Sequence, residues 1–208
     1  MKHGKFITLE GIDGAGKSTQ LAGITELLRV RGITVIVTRE PGGTPLGERL
    51  RALLLDKLLT MHPETEALLM FAARREHLDK VIMPALMQGY WVISDRFTDA
   101  SFAYQGGGRG LDTHKLEILE QWAHSTIQPD LTLYFDVSVE VGQQRVSQLK
   151  SVDRFEQEQK EFFQRVRTAY LERARQFPER IRFIDANRPL SDVQMAVQQT
   201  LHSLFAHA

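Results

Sequence analysis

Gly11-Ile12-Asp13-Gly14-Ala15-Gly16-Lys17-Ser18-Thr19 fits the pattern G-x-x-x-x-G-K-[ST]. It follows the apolar run Phe6-Ile7-Thr8-Leu9 and precedes Leu21, Ile24, Leu27 and Leu28, which recur at helical spacing. Strand, glycine loop and helix in that order make the motif a phosphate cradle. Its glycines reach backbone angles that a Cβ forbids, so the chain can wrap closely around an anion. The first N–H groups of the helix have no partner within it and point at that anion, with the positive end of the dipole behind them. The motif implies a nucleoside triphosphate, with Lys17 on the outer phosphates and the Ser18 hydroxyl on Mg²⁺.

Four more apolar runs lie outward from this stretch: Ile33 to Thr38, Tyr90 to Ser94, Leu131 to Val137 and Ile181 to Ile184. Helical patterns separate them. One opens at Thr44-Pro45, read as N-cap and first residue, and a long one runs from Pro63 to about Leu86. Another covers Thr113 to Thr126, and a short one holds Arg145. Asp153 and Glu156 are spaced as a cap and its partner for the next helix. Ser191 and Gln194 read as a capping box for the last, with Leu190 and Met195 as a staple. Strands alternating with helices predict an α/β fold, a five-stranded parallel sheet with helices on both faces. Ligands of such sheets gather at the carboxyl ends of the strands. The P-loop, Arg39-Glu40-Pro41 and Asp95-Arg96 all fall at such ends and are expected to converge.

The 208 residues suit a single domain, 1–208. Lys plus Arg equals Asp plus Glu at 26 each, so no general field for nucleic acid or a membrane surface is expected. The chain has no cysteine, which excludes disulfides and thiolate metal sites and fits a cytoplasmic protein. No apolar run reaches membrane-spanning length, and the first strand begins too early for a signal peptide.

Asp95 ends a buried strand near the P-loop, where a Walker B carboxylate holds Mg²⁺. Arg96, Arg51 and Arg74 supply more cationic forks than one triphosphate needs, which points to a second, phosphate-bearing substrate. The guanine-reading N-K-x-D motif of GTPase switches is absent, so a small nucleotide kinase is the stronger reading.

Gly11 to Thr19, Thr38-Arg39-Glu40-Pro41-Gly42-Gly43, Asp95-Arg96-Phe97 and Ala103-Tyr104-Gln105-Gly106 together resemble the bacterial thymidylate kinases, over essentially the whole chain. The resemblance implies a P-loop kinase with a short lid at about 145–154. It implies transfer of the γ-phosphoryl group of ATP to dTMP with Mg²⁺, in a homodimer that serves dTTP synthesis. Asp13 would then contact the sugar 3′-hydroxyl, while Arg51 and Arg96 hold the acceptor phosphate. Arg74 would bond the thymine carbonyl, Ser101 and Gln105 would line the base pocket, and Tyr104 would fill the space of a 2′-hydroxyl. Either Met70 or Phe71 would cover the base. Ala15 stands where other members carry a P-loop arginine, so the catalytic cation is sought in the lid among Arg145, Lys150 and Arg154. Arg154 is expected to serve as that cation, or else as an ion-pair partner beside a helix cap. Another nucleoside or nucleotide kinase of this class, and a nucleotide-gated binding module, are the rival readings.

Overall fold

In the computed structural model, residues 4–147, 153–156 and 158–205 are described. Five parallel strands, β1 (Phe6–Glu10), β2 (Val35–Arg39), β3 (Trp91–Asp95), β4 (Leu131–Asp136) and β5 (Ile181–Asp185), lie in the order β2-β3-β1-β4-β5. The glycine-loop strand β1 is therefore central, flanked by β3 and β4. Its register pairs Leu9 with Asp95 on one side and with Leu133 on the other, which sets the P-loop beside the acid that ends β3.

β1 is buried along its length because helices cover both faces. Ile7, Leu9 and Ile93 point into the larger core with Ile24 and Leu28 of α1 (Lys17–Val30). Phe6 and Val92 point the other way and meet Leu78, Ile82 and Ala85. The alternation of a pleated strand thus divides the core in two.

The remaining helices are α2 (Pro45–Leu55), α3 (Pro63–His77), α4 (Met83–Met87), α5 (Thr98–Ser101), α6 (Thr113–His124), α7 (Val139–Val146), α8 (Lys160–Gln176) and α9 (Leu190–Phe205). The Thr44 side chain caps α2 as read, accepting from the Gly47 N–H at 2.9 Å. The long helix expected from Pro63 to Leu86 is instead interrupted by a π-turn at Leu78–Ile82. Pro84 is the reason: it has no N–H to donate and its ring crowds the preceding turn, so the backbone widens ahead of it.

Two cap readings are corrected. Asp153 and Glu156 do satisfy each other's backbone N–H groups, at 3.0 and 2.9 Å, but they close a turn, and α8 begins only at Lys160. Ser191 lies inside α9, and the supposed staple residues Leu190 and Met195 are both exposed.

Candidate active site

The P-loop is built by the central strand and the uncapped start of α1. Gly14 and Gly16 adopt left-handed backbone angles, with φ of 80° and 86°. A Cβ on Gly14 would also run into the backbone of Gly142. No side chain caps α1, so its first N–H groups remain available to an anion. Lys17 is buried and folds over the loop, its Nζ donating to the Gly11 and Ile12 carbonyls at 3.0 and 3.2 Å. Burial and the nearby Arg96 guanidinium push the Lys17 ammonium below its ordinary value, against the pull of Asp13, Asp95 and Glu10.

β3 delivers Asp95 and Arg96 to the same place. Arg96 has a left-handed backbone at φ 70°, the only such residue other than glycine among those described. That conformation is strained for a residue with a Cβ and persists only where the surroundings over-determine it. Here its N–H donates to the Leu9 carbonyl at 2.9 Å, its carbonyl accepts from Ser94 Oγ at 2.7 Å, and the next N–H, of Phe97, donates to Glu10 Oε1 at 2.7 Å. The strain aims the guanidinium back at the P-loop. It donates to Asp13 Oδ1 at 2.7 Å, to the Gly11 carbonyl at 2.9 Å and to Tyr104 Oη at 3.1 Å. Burial pushes the Asp13 carboxyl up, but Arg96 and Lys17 outweigh it and hold the group below its ordinary value.

Glu10 is the buried support of this turn. It also accepts from Tyr170 Oη at 2.7 Å. Burial and the neighbouring Asp99 push its carboxyl up to about 8, against the pull of Arg96 and Tyr170. A group raised in the folded state contributes stability that is complete below its unfolded value and is lost as the pH climbs through the folded one. The contribution of Glu10 is therefore expected to disappear between pH 4.5 and about 8. Glu10→Gln, which does not titrate, should gain on the wild type across that window by roughly 2–4 °C in Tm or more. Parallel Tm curves for the two proteins would contradict this.

Asp13, Arg51, Met70, Arg74, Arg96, Ser101, Tyr104 and Gln105, all singled out in the sequence, line one cleft. The expected convergence of strand ends is present, since Glu40 and Pro41 line it too. Arg51 holds the Pro41 carbonyl at 2.9 Å. Arg74 is buried and donates to Glu40 Oε2 at 2.7 Å, and to the Phe97 carbonyl and Ser101 Oγ at 3.1 Å each. Its Nη1 is buried with no partner among the described residues. An orphaned guanidinium nitrogen in a cleft wall is a donor waiting for a ligand acceptor.

Helical phase sends Met70 and Phe71 to different places. Met70 lies on the same stripe of α3 as Arg74 and faces the cleft. Phe71 is turned away into a separate cluster with Ala67, Phe102 and Leu116. Phe71 is therefore corrected from candidate binding residue to core.

Arg154 is also placed elsewhere than expected. Its Nη2 pairs with Glu66 Oε2 at 2.7 Å, its Nε donates to the Leu54 carbonyl at 2.8 Å, and it does not line the cleft. In this structure it takes the second of the two roles expected of it, the ion-pair partner, here of a buried glutamate. Arg145 does touch the P-loop, donating to the Gly14 carbonyl at 3.0 Å. Lys150 lies outside the described residues, as does about half of the expected lid.

Asp95 Oδ1 is buried without a partner among the described residues, while the Ser18 side chain is exposed at the mouth of the loop. Among those residues no cluster of three or more acidic, His or Cys side chains forms a metal cage. One carboxylate and one hydroxyl fit a Mg²⁺ that takes its other oxygens from phosphates and water.

Sequence reasoning missed Glu10, Glu66 and His77, and named Glu40 only as part of a loop at a strand end. The Glu40 carboxylate is shared between Arg74 and His77 Nδ1, at 2.7 and 3.0 Å. The signal was available, because Glu66, Met70, Arg74 and His77 follow one another at helical spacing along the stripe that faces the site. Gly107 and Gly108, which end the π-turn Phe102–Gly108 that carries Gln105, are required by close packing of α8.

The family model described as thymidylate kinase matches residues 9–197. The chain is 66% identical over 203 residues to a thymidylate kinase of Nitrosospira multiformis, covering 98% of this chain and 99% of that one. It is 62% identical over 206 residues to one of Nitrosomonas europaea, covering 99% and 96%. Among solved structures, the thymidylate kinase of Ehrlichia chaffeensis superposes with a TM-score of 0.77 at 36% identity, covering 96% of this chain and 99% of that one.

Proposed function

The chain belongs to the thymidylate kinase family and transfers the γ-phosphoryl group of ATP to dTMP, giving dTDP and ADP, and we propose the following division of labour among its residues. The single observation that carries it is Arg96, whose strained backbone turns one guanidinium onto both the P-loop and the acceptor cleft.

ATP phosphates lie on Gly11 to Thr19, with Lys17 on the outer ones. dTMP occupies the cleft. Its phosphate meets Arg96 and Arg51, its 3′-hydroxyl meets Asp13, its 4-carbonyl accepts from Arg74 Nη1, and Met70 covers its ring. The two anionic substrates thus approach from opposite sides of Arg96, and little covalent work is left to the protein. Positioning and charge neutralisation supply most of the rate. No general base is needed, because the attacking phosphate oxygen is already ionised. Mg²⁺, held by Ser18 and Asp95, would neutralise charge on the donor phosphates. Among the described residues, Arg145 is the lid-side cation that touches the P-loop.

A homodimer belongs to the same proposal. Leu46, Leu68 and Trp122 stand exposed, Trp122 at 83%, around an apolar groove between α2, α3 and α6. We also place the reaction in the cytoplasm, carried out by one domain spanning 1–208. Among the described residues no helix is long and apolar enough to cross a membrane.

An acceptor panel tests the substrate assignment. dTMP is expected to be preferred over UMP and dCMP by at least about 10²-fold in kcat/KM, since a poorly matching base leaves buried groups unpaired and Tyr104 crowds a ribose 2′-hydroxyl. Comparable values for UMP and dTMP would overturn it.

A further inference from the structure

Glu66 sits on α3 one turn before Met70 and is wholly buried. A carboxylate is rarely buried without strong partners, and this one gathers three from different parts of the chain. Gln105 Nε2 donates to Oε1 at 2.8 Å, from the π-turn Phe102–Gly108. Arg109 Nε donates to Oε1 and Oε2 at 3.3 and 3.2 Å. Arg154 Nη2 lies 2.7 Å from Oε2.

Gln105 lines the cleft beside Arg74 and Ser101 and is itself 1% exposed. A primary amide has an accepting end and a donating end, and nothing in its shape decides which faces the ligand. Glu66 decides it. Flanked by two guanidinium groups, its oxygens act as acceptors, so only the NH₂ end of Gln105 can face them. Turning the amide over would set its carbonyl oxygen against a carboxylate oxygen. Among the described residues no donor reaches Gln105 Oε1, which leaves that acceptor for the cleft. Arg74, which lines the same cleft, has in Nη1 a donor without a partner among the described residues.

We propose that Glu66 is a positioning residue for acceptor-base specificity, locking the Gln105 amide so that the cleft offers one acceptor next to one donor. That pattern complements a 4-keto pyrimidine with a protonated N3, as in thymine. Cytosine presents the reverse, an acceptor at N3 and an amino group at C4. The inference rests on the reading that the cleft holds the dTMP base. It adds that selectivity is set one layer behind the surface the base touches, by a residue that never meets it.

The test is the ratio of Kd for dCMP to Kd for dTMP, by calorimetry on the full chain. Glu66→Gln lets the Gln105 amide turn, and the ratio should fall at least about tenfold. Glu66→Asp is the second variant, in case loss of the buried charge prevents folding. It keeps a charge for Arg109 and Arg154 but withdraws the carboxylate from the amide, and the ratio should fall in the same direction. Gln105→Met should lower the ratio too, and adding Glu66→Gln to it should change the ratio no further, because both act through one amide. An unchanged ratio in folded Glu66→Gln or Glu66→Asp would make Glu66 a structural ion-pair partner only. Additive effects of the Glu66 and Gln105 substitutions would equally overturn the proposal. A wild type that shows no preference for dTMP would overturn the reading of the cleft itself, and this inference with it.

Discussion

Lys17→Ala is expected to lower kcat by about 10³-fold or more while the protein stays folded. In the free protein the Lys17 ammonium rests on the Gly11 and Ile12 carbonyls, held over the loop that receives the donor phosphates. Two neutral carbonyls are weak partners for a buried cation, and phosphate oxygens in that position would compete for it. Charge that spreads over the moving phosphoryl group then meets a cation already in place, with no solvent to reorganise. Truncation leaves each loop carbonyl another donor, Arg96 Nη1 for Gly11 and the Ala15 N–H for Ile12, so it should cost only a small part of the stability. Steady-state kinetics together with a thermal melt separate the two effects. A kcat within about tenfold of wild type, ~1.4 kcal/mol in the barrier, would argue against a catalytic P-loop.

The second large effect is expected at Arg96. Arg96→Ala removes the fork that joins Gly11, Asp13 and Tyr104, and with it a cation proposed for the acceptor phosphate. It also leaves the Asp13 carboxylate beside the P-loop with Lys17, 3.7 Å away, and Arg51 to offset it. A negative charge thus faces two anionic substrates. The loss in kcat/KM should be on the order of 10³ or larger, in the range of arginines that stabilise phosphoryl transfer elsewhere. Arg96→Lys should recover little of it, because an ammonium cannot span those partners and a phosphate at once. The backbone offers a control. Alanine at φ 70° is strained much as arginine is, so stability should change less than activity. A folded Arg96→Ala enzyme within tenfold of wild type would contradict the assignment.

How much of this was legible in the sequence follows from the range of the forces involved. The sheet could be read because each strand is a short apolar run and each helix repeats its apolar stripe, and both signals are local. The P-loop could be read because its chemistry needs fixed residues at fixed spacing. The π-turn before Pro84 was hidden because a proline inside a helix can kink, end or widen it, and neighbouring packing chooses. The cap readings at Asp153 and Ser191 failed for a related reason. The residue pattern was right, but a capping box also closes an isolated turn, and where a helix starts depends on tertiary contacts.

The site divides along the same line. Asp13, Arg51, Arg74, Arg96, Ser101, Tyr104 and Gln105 reach one cleft because they sit at strand ends or on a helix beside them. Phe71 was ambiguous because an aromatic next to a functional position is as suitable for core as for stacking, and one residue of helical phase decides. Arg154 illustrates the harder limit. A cation near a lid has several carboxylates within reach once the chain folds, and Glu66 lies far from it in sequence yet 2.7 Å away in space. Glu10 shows the converse case, a glutamate at the end of an apolar run whose role appears only when Phe97 and Tyr170 close on it.

The central claim is direct transfer between two nucleotides that meet at Arg96. A single-turnover experiment tests it most directly, with the chain in excess over ATP labelled in its γ-phosphoryl group and with saturating dTMP. The label should pass into the β-phosphate of dTDP, with none left on the protein and none released as inorganic phosphate. Label recovered as inorganic phosphate, or bound to the chain, would contradict the account.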